Sequence, residues 1–529
     1  LTGAGLSNVG NLSGGITQTG TAADILVNSG TWNLTGTNSF ADDVIVTGVN
    51  AVLNLNATGT LGYVAGTSSG LYIRTGATVN LNASDVTGVA AAGGNDFILI
   101  GDTTAGGATL NLNSFNVTTP RFDLGQTTAG FTGSVIGSGT LTVTTDFNLY
   151  EGTVSANLAG AGPVEKFGSG VVTLSGDNTG LTSGTAARVD AGELILDYTA
   201  SNTVKLREAT GLDMRGGSLT ISGNSSAATA QSVAGLTLTN GSNRIAVNPG
   251  SGQTAVLNLG GIKSTSLSCS LRVMVPAGTQ DATFGVTTSA TLNTYGTLGG
   301  FLTVTDSTGT YFATKSGNNI VPITPTVASD ISTWTTGQNV TNRGAAYSGT
   351  TGLRSINSLS FDHSSGGSVA IGNTATLDLF NGGVLLTSNL TGGAPSITGG
   401  RLTSSIADVI VTHDGSATLS INSQIGLNNT LTKTGDGILS LNNAINNYTG
   451  ATQIQAGTLQ VAGGNAIGNA SSVVLSDERA STLELLASET IGNLSGGNAG
   501  TGIVFGTVAL GAHTLSINST ASGTYSGVF

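Results

Sequence analysis

Apolar and polar residues alternate along this chain in short runs, and glycine and asparagine separate the runs. The segment 427–461 shows the pattern most clearly. Thr430 to Thr434, Ile438 to Leu441, Ala451 to Ile454 and Thr458 to Val461 are four such runs, divided by Gly435-Asp436-Gly437, Asn442-Asn443 and Gln455-Ala456-Gly457. Runs of about four to six residues with period two, rich in β-branched side chains, predict strands. Glycine supplies positive φ without steric cost and asparagine tolerates it, so each divider can turn the chain sharply.

The runs repeat. Val52-Leu53-Asn54-Leu55-Asn56, Thr78-Val79-Asn80-Leu81-Asn82 and Thr109-Leu110-Asn111-Leu112-Asn113 are nearly one pentapeptide, at steps of 26 and 31 residues. Variants return at Val256 to Leu259, Thr376 to Leu379, Thr418 to Ile421 and Thr514 to Ile517. In each, one face is dry and the other wet. A single circuit of this kind has too small a core and two unpaired strand edges. Stacking circuit on circuit satisfies both edges and joins the dry faces into one column. The prediction is an all-β, elongated parallel β-helix (β-solenoid). At roughly 25 residues per circuit and about 4.8 Å per layer, it has on the order of 20 layers and a length of roughly 100 Å. Asparagines in register are expected to hydrogen-bond to their copies one circuit away.

Longer repeats lie over the short ones. Lys166, Gly168, Gly170, Leu174 and Gly192 match Lys433, Gly435, Gly437, Leu441 and Gly457 at offsets of 265 to 267 residues. Val9 to Gly15 matches Ile491 to Gly497, and Thr19-Gly20 matches Thr501-Gly502. Alternation lapses between Asn318 and Arg354, where Pro322, Pro325, Trp334 and Tyr347 fall. The expected organisation is therefore a solenoid over 1–317, an irregular excursion over 318–354 and a second solenoid stretch over 355–529. Large apolar side chains in the excursion either plug an irregular layer or are exposed for contact. Neither end carries a polar capping helix, so the ends are read as uncapped and expected to meet further layers, in a longer parent chain or head-to-tail in a filament.

Composition narrows the class. Only 8% of 529 residues are charged and 82 are glycine, with a mean hydropathy of +0.21. Disordered chains are charged and poor in apolar residues, and collagens carry glycine at every third position with abundant proline; here there are 7 prolines and no such period. The net charge of −12 argues against a nucleic-acid partner. One cysteine, Cys269, excludes an internal disulfide framework and is read as a small inward apolar residue. No run of 18 apolar residues is present, so no helical membrane span is expected. Leu1 is not a start methionine and no signal peptide is visible, which suggests a processed or excised chain.

The order Lys-x-Gly-x-Gly-x-Leu-x-Leu, Asn-Tyr-Thr-Gly-Ala-Thr, Ala-Gly-Thr-Leu-Gln-Val over 431–461 resembles the autotransporter-associated β-strand repeat, also called the passenger-associated transport repeat. Residues 164–196 resemble it less closely, because Asn178-Thr179-Gly180 lacks the Tyr-Thr-Gly form. The resemblance implies a secreted or surface-displayed right-handed β-helix with adhesive or scaffold roles and no shared catalytic residues. The aromatic ending at Tyr525 and Phe529 is faintly similar to that of outer-membrane barrels, but aromatics are 5% of the chain and barrel strands need aromatic girdles.

Candidate chemistry is sparse. Asp362-His363 and His413-Asp414 are adjacent pairs and His513 stands alone; neighbours on a strand point to opposite faces, so neither pair is a ready acid–base couple. Gly93-Gly94-Asn95-Asp96-Phe97 partly matches a calcium-binding nonapeptide, but such sites need tandem copies, and a tight turn is preferred. Lys205, Arg207, Glu208, Asp213 and Arg215 read as a solvated outer turn, and Asp477-Glu478-Arg479 as a second charge cluster. No catalytic residue, cofactor-binding residue or metal ligand is assigned, and no cofactor is expected. Three classes follow in order: an extracellular structural segment of a fibre, stalk or surface filament; an adhesin binding glycans or other cells; and, distantly, a polysaccharide-active enzyme. The partners expected are the chain itself, head-to-tail or laterally, further repeats of a larger parent chain, and cell-surface polysaccharide.

Overall fold

The computed structural model describes residues 9–14, 24–36, 38, 42–57, 61, 70–86, 97–101, 106–126, 130–265, 269–327, 330–349, 352–406, 408–497, 505–519 and 522–529. Gly15, Thr19-Gly20, Gly93 to Asp96 and Thr501-Gly502, singled out above, lie outside them. The fold is an all-β parallel solenoid divided between two compact units: Leu1–Asp213 with Ser218–Leu236 and Val247–Leu259, and Met214–Gly217 with Thr237–Ala246 and Gly260–Phe529.

In the first unit the pentapeptides stack as the alternation requires. Val9–Leu12, Gly30–Leu34, Ala51–Leu55, Thr78–Leu81 and Ala108–Asn111 pair in parallel, each in register with the next. The sheet continues through Gly133–Ile136, Gly152–Val154, Val171–Leu174 and Glu193–Asp197 to Ser218–Ser222. Its inward residues, such as Leu53, Val79 and Leu110, are buried. On the wet face the asparagines form a ladder. Asn33 donates to Asn11 at 2.7 Å, Asn54 to Asn33 at 2.7 Å, Asn80 to Asn54 at 2.9 Å and Asn111 to Asn80 at 3.1 Å. A shorter parallel ladder joins Asn113, Asn82 and Asn56. The amide suits this position because it carries donor and acceptor together, so identical residues satisfy one another rung after rung.

A second parallel sheet in this unit runs from Ile25–Val27 through Val44–Thr47, Gly70–Arg74, Phe97–Ile100, Val117–Leu124, Thr140–Leu149 and Val164–Lys166 to Ala187–Val189. Register slips between Thr119 and Arg121. Pro120 sits at that bulge, where its missing N–H removes no ladder bond.

In the second unit parallel pairing first links residues 242–246 to Ser270–Met274, and that strand to Leu302–Asp306. It then gives way to antiparallel pairing, with Leu302–Asp306 against Gly309–Ser316 and the latter against Asn319–Pro322. This stretch therefore departs locally from parallel stacking. The cause is local. Ser307-Thr308 and Gly317-Asn318 are two-residue loops, and loops that short can connect only antiparallel neighbours. Gly317 takes φ +59 in the second loop.

Parallel stacking resumes with Thr326–Val327 and Asn339–Asn342 and continues through Leu353–Phe361, Thr376–Leu386, Asp408–His413, Thr430–Thr434 and Thr452–Ile454. A partner sheet runs from Ala346–Ser348 through Ser368–Ala370, Ser396–Thr398, Leu419–Ile421, Ile438–Leu441, Gly457–Val461 and Ser481–Leu485 to Gly506–Ala509. Trp334 and Tyr347 are buried in the core between them, their rings edge-on at 6.1 Å. The large side chains of 318–354 thus fill a layer.

Four consecutive strands of the second unit, from Leu353–Phe361 to Thr430–Thr434, are buried on both faces. Their inner face meets the solenoid core; their outer face meets Ser242, Ser270, Thr297 and Phe312 of the same unit. Thr297 Oγ1 accepts from Asn357 at 3.2 Å and Asn381 at 2.9 Å, and the Phe312 ring lies beside Gly383, where a Cβ would be 2.6 Å away. Glycine at 383 is what allows the ring so close to the strand.

Candidate functional site

The lysines of the two long repeats point inward. Lys433 shares its strand face with Leu431 and is fully buried. Its Nζ donates to Gly435 O at 2.6 Å, Ala456 O at 3.0 Å and Thr434 O at 3.1 Å. Lys166 repeats the arrangement with Phe167 O at 2.6 Å, Gly168 O at 2.8 Å and Ala191 O at 3.1 Å. Three N–H groups meet three carbonyls, two on the lysine's own turn and one on the turn of the next rung. Burial pushes both amines down to about 7. The glycines belong to the same device. Gly435 and Gly457 have φ of +75 and +68, and a Cβ on Gly457 would stand 2.5 Å from Gly435 O.

A second tie accompanies each lysine. Asn446 accepts from Ile425 N at 2.9 Å, one rung back, and donates to Ala466 O at 2.7 Å, one rung on. Asn178 accepts from Leu158 N at 3.1 Å and donates to Lys205 O at 3.0 Å. Tyr448, fully buried, closes the second repeat with its hydroxyl 2.7 Å from Thr452 Oγ1. The sequence reading missed the buried asparagines, although each follows the lysine by 12 or 13 residues.

Lys205 is likewise buried. Its Nζ donates to Ser175 O and Gly176 O, both at 2.8 Å, and lies 5.2 Å from the Tyr198 ring centroid. The solvated-turn expectation therefore fails for this residue, because the free carbonyls of a neighbouring turn take up the ammonium. Arg207 donates to Thr182 O at 2.5 Å and also to Ser183 O.

The two histidine–aspartate pairs fall at strand ends, and in each the two side chains take different partners. His363 Nδ1 lies 2.7 Å from Ser365 Oγ, while Asp362 accepts from Thr387 at 2.6 Å and Asn389 at 2.9 Å. His413 is fully buried with Nε2 2.6 Å from Ala417 O; burial and the nearby Lys433 push its pKa down to about 4. Asp414 instead pairs with Arg272. His513 is half-buried, and Cys269 is buried with Sγ 3.0 Å from Ser264 Oγ.

Arg272 belongs to a polar seam inside the second unit. Arg244 and Arg479 each lie 4.0 Å from Asp436, Arg479 donates to Ser242 O at 3.2 Å, and Thr434 Oγ1 lies 2.8 Å from Ser270 Oγ. Burial first and the neighbouring guanidinium of Arg244 next hold Arg272 down to about 10, against the pull of Asp436. A cavity of about 20 Å³ remains among them, room for one water molecule. The seam is suited to fastening residues 242–244 and 270–272 onto 412–479.

Buried ties thus recur with the long repeats on a parallel solenoid. The family model for the passenger-associated-transport-repeat matches residues 27–48, 164–196 and 431–461. The first match had not been seen in the sequence; its buried Asn38 donates to Gly36 O at 3.0 Å. Over 454 residues the chain is 29% identical to the adhesin BmaC autotransporter of Brucella suis biovar 1 (strain 1330), covering 82% of this chain and 11% of that protein. The chain thus spans about a ninth of that relative's length. No solved structure matches. The chain carries passenger-associated transport repeats, and these together with the autotransporter relative point to an extracellular place at the cell surface. Among the described residues no helix is long and apolar enough to cross a membrane.

Proposed function

We propose that this chain is a structural segment of a surface-displayed passenger, a stiff spacer that holds other parts of a larger chain away from the cell. One observation supports the reading above the rest: each long repeat ties its own turn to the next rung through a buried lysine, and ties the rungs before and after it through a buried asparagine. Such ties resist separation of rungs along the stack, the direction in which a tethered spacer is pulled. Single-molecule stretching of the chain tests this. The expected record is a series of steps, each releasing one or a few rungs, with lower forces in Lys433→Met. One featureless low-force extension would sink the idea.

A second reading is adhesion, favoured by the name of the relative, which is called an adhesin. Binding of the isolated chain to host cells or immobilised glycans separates the two, since a pure spacer binds neither. Self-association into a filament is a further form of the structural role. Electron micrographs showing filaments of uniform width support it, and a monodisperse monomer at high concentration counts against it.

A further inference from the structure

The outward face of one sheet in the first unit gathers side chains that this chain uses sparingly elsewhere. Aromatics are 5% of its residues and charged groups 8%. Of the four cation–π contacts among the described residues, three lie on the face formed by Gly70–Arg74, Phe97–Ile100, Val117–Leu124, Thr140–Leu149, Val164–Lys166 and Ala187–Val189. Arg74 lies 4.3 Å from the Tyr72 ring centroid, Arg121 5.7 Å from that of Phe97, and Arg188 5.2 Å from that of Phe167. Tyr72 and Phe97 meet edge-on at 5.0 Å, and Tyr150 meets Phe167 at 5.6 Å.

The planes are held in place. Register sets Arg121 between Phe97 and Asp146, and Glu165 between Asn148 and Arg188. Asp123, whose side chain is 3% exposed, accepts from Arg121 at 3.0 Å and from Asn148 at 2.7 Å, while the Arg121 side chain stays 50% exposed. Arg188 is paired with Asp190 at 2.5 Å and lies 3.8 Å from Glu165. Gly70 leaves the space Phe97 occupies, since a Cβ there would stand 2.6 Å from the ring.

We propose that this face binds an extended neutral polysaccharide laid along the stack, across successive rungs. A pyranose ring offers an apolar C–H face and a rim of hydroxyls. Aromatic and guanidinium planes stack against the first, and paired carboxylates and guanidiniums accept from and donate to the second. Strands about 4.8 Å apart present such groups at intervals comparable to the step of an extended sugar chain, so one polymer meets several rungs. Because Arg121 and Arg188 are each tied to a carboxylate, their charge is balanced locally, which favours a neutral polymer over a polyanion. Rigid planes already in position lower the ordering cost of binding. The inference goes beyond the spacer role, which requires no ligand, and a failed stretching experiment would leave it standing.

The test uses the full chain with chitohexaose, cellohexaose and hyaluronan as probes, read by calorimetry. Saturable binding of at least one neutral hexamer is expected, weakened about tenfold or more in Arg121→Ala and in Arg188→Ala. Arg188→Ala should keep the thermal midpoint within a few degrees, because its partners Glu165 and Asp190 reach solvent. Arg121→Ala also strands the buried Asp123 and is read beside Arg121→Lys, which keeps a cation for it. Arg121→Lys, which keeps the charge but loses the plane, should bind almost as poorly as Arg121→Ala. No binding to either hexamer, preference for hyaluronan, or undiminished binding by all three variants overturns the proposal. So does loss of self-association, instead of sugar binding, in sedimentation of the same variants.

Discussion

Lys433 Nζ and Ala456 O lie 3.0 Å apart, one rung from each other, and Lys166 and Ala191 repeat the contact at 3.1 Å. A buried cation is costly unless its hydrogen bonds are complete, and here three carbonyls complete them. Replacing Lys433 by methionine keeps the volume and strands all three carbonyls in a dry interior. The expected loss is about 2–4 kcal/mol, from the cost of unsatisfied buried groups. Guanidinium denaturation of the second unit's signal, compared with the unaltered chain, measures it.

The same lysine makes stability depend on pH. Its folded value is about 7 and its ordinary value 10.5, so between these limits the unfolded chain binds more protons than the folded one. Stability therefore rises as pH is raised from about 7 toward 10.5, by up to about 1.4 kcal/mol per pH unit for each such lysine. Below about 7 the contribution is flat. Denaturation midpoints from pH 6 to 10 should show this slope, and Lys433→Met should lack its share. An unaltered slope in the variant would mean that Lys433 is not the group responsible.

Gly457 and Gly317 both have positive φ, +68 and +59, but differ in surroundings. A Cβ at 457 would stand 2.5 Å from Gly435 O and 2.7 Å from Gly437 O, whereas at 317 nothing lies within 4 Å. Gly317→Ala should then cost only the backbone strain, about 1 kcal/mol. Gly457→Ala adds a clash with fixed backbone and should cost several times more, on the order of 3–5 kcal/mol. Thermal midpoints of the two variants decide it; equal losses would show that the rungs can part to admit a methyl group.

Much of this was legible beforehand, for physical reasons that also mark where legibility ends. Stacking followed from the pentapeptide ladder because Asn54, Asn80 and Asn111 hold one register. The inward lysines were readable too, since period-two parity puts Lys433 on the face of Leu431 and Lys166 on that of Val164. The hairpin at Gly317-Asn318 carries a two-residue turn signal at the edge of the stretch where alternation lapses. Burial of Thr376–Leu386 on both faces was not readable locally, because it depends on Thr297 and Phe312, 70 or more residues away in sequence. The aromatic and arginine face escaped for a similar reason: Phe97, Arg121 and Arg188 become neighbours only through rung register.

The asparagine ties invite a graded comparison. Asn80 stands mid-ladder on the wet face, bonded at 2.9 Å to Asn54 and at 3.1 Å from Asn111. Water can replace either bond, so Asn80→Ala should cost about 1 kcal/mol. Asn446 is buried and serves Ile425 N and Ala466 O, groups water cannot reach. Asn446→Leu should cost about 2–4 kcal/mol. Hydrogen exchange locates the damage, with the Ile425 amide expected to lose protection in Asn446→Leu and to keep it in Asn80→Ala.

Asp408 gives the opposite pH response to the lysines. It is fully buried and accepts from Thr430 Oγ1 at 2.6 Å and, more weakly, from Thr432 Oγ1 at 3.2 Å. Burial raises its pKa to about 6 from an ordinary 3.8, and the two hydroxyl bonds only partly offset the rise. Between those values the folded chain holds a proton that the unfolded chain has released. Its contribution is thus complete below about 3.8 and disappears as pH rises through about 6. Asp408→Asn keeps an acceptor for Thr430 and removes the titration. Midpoints of the second unit's transition should rise from pH 7 to pH 4 more steeply in the unaltered chain than in Asp408→Asn, once the same carboxylate background is subtracted. Parallel profiles for the two proteins would show that water reaches Asp408 and that the strand end at Asp408–His413 opens in solution.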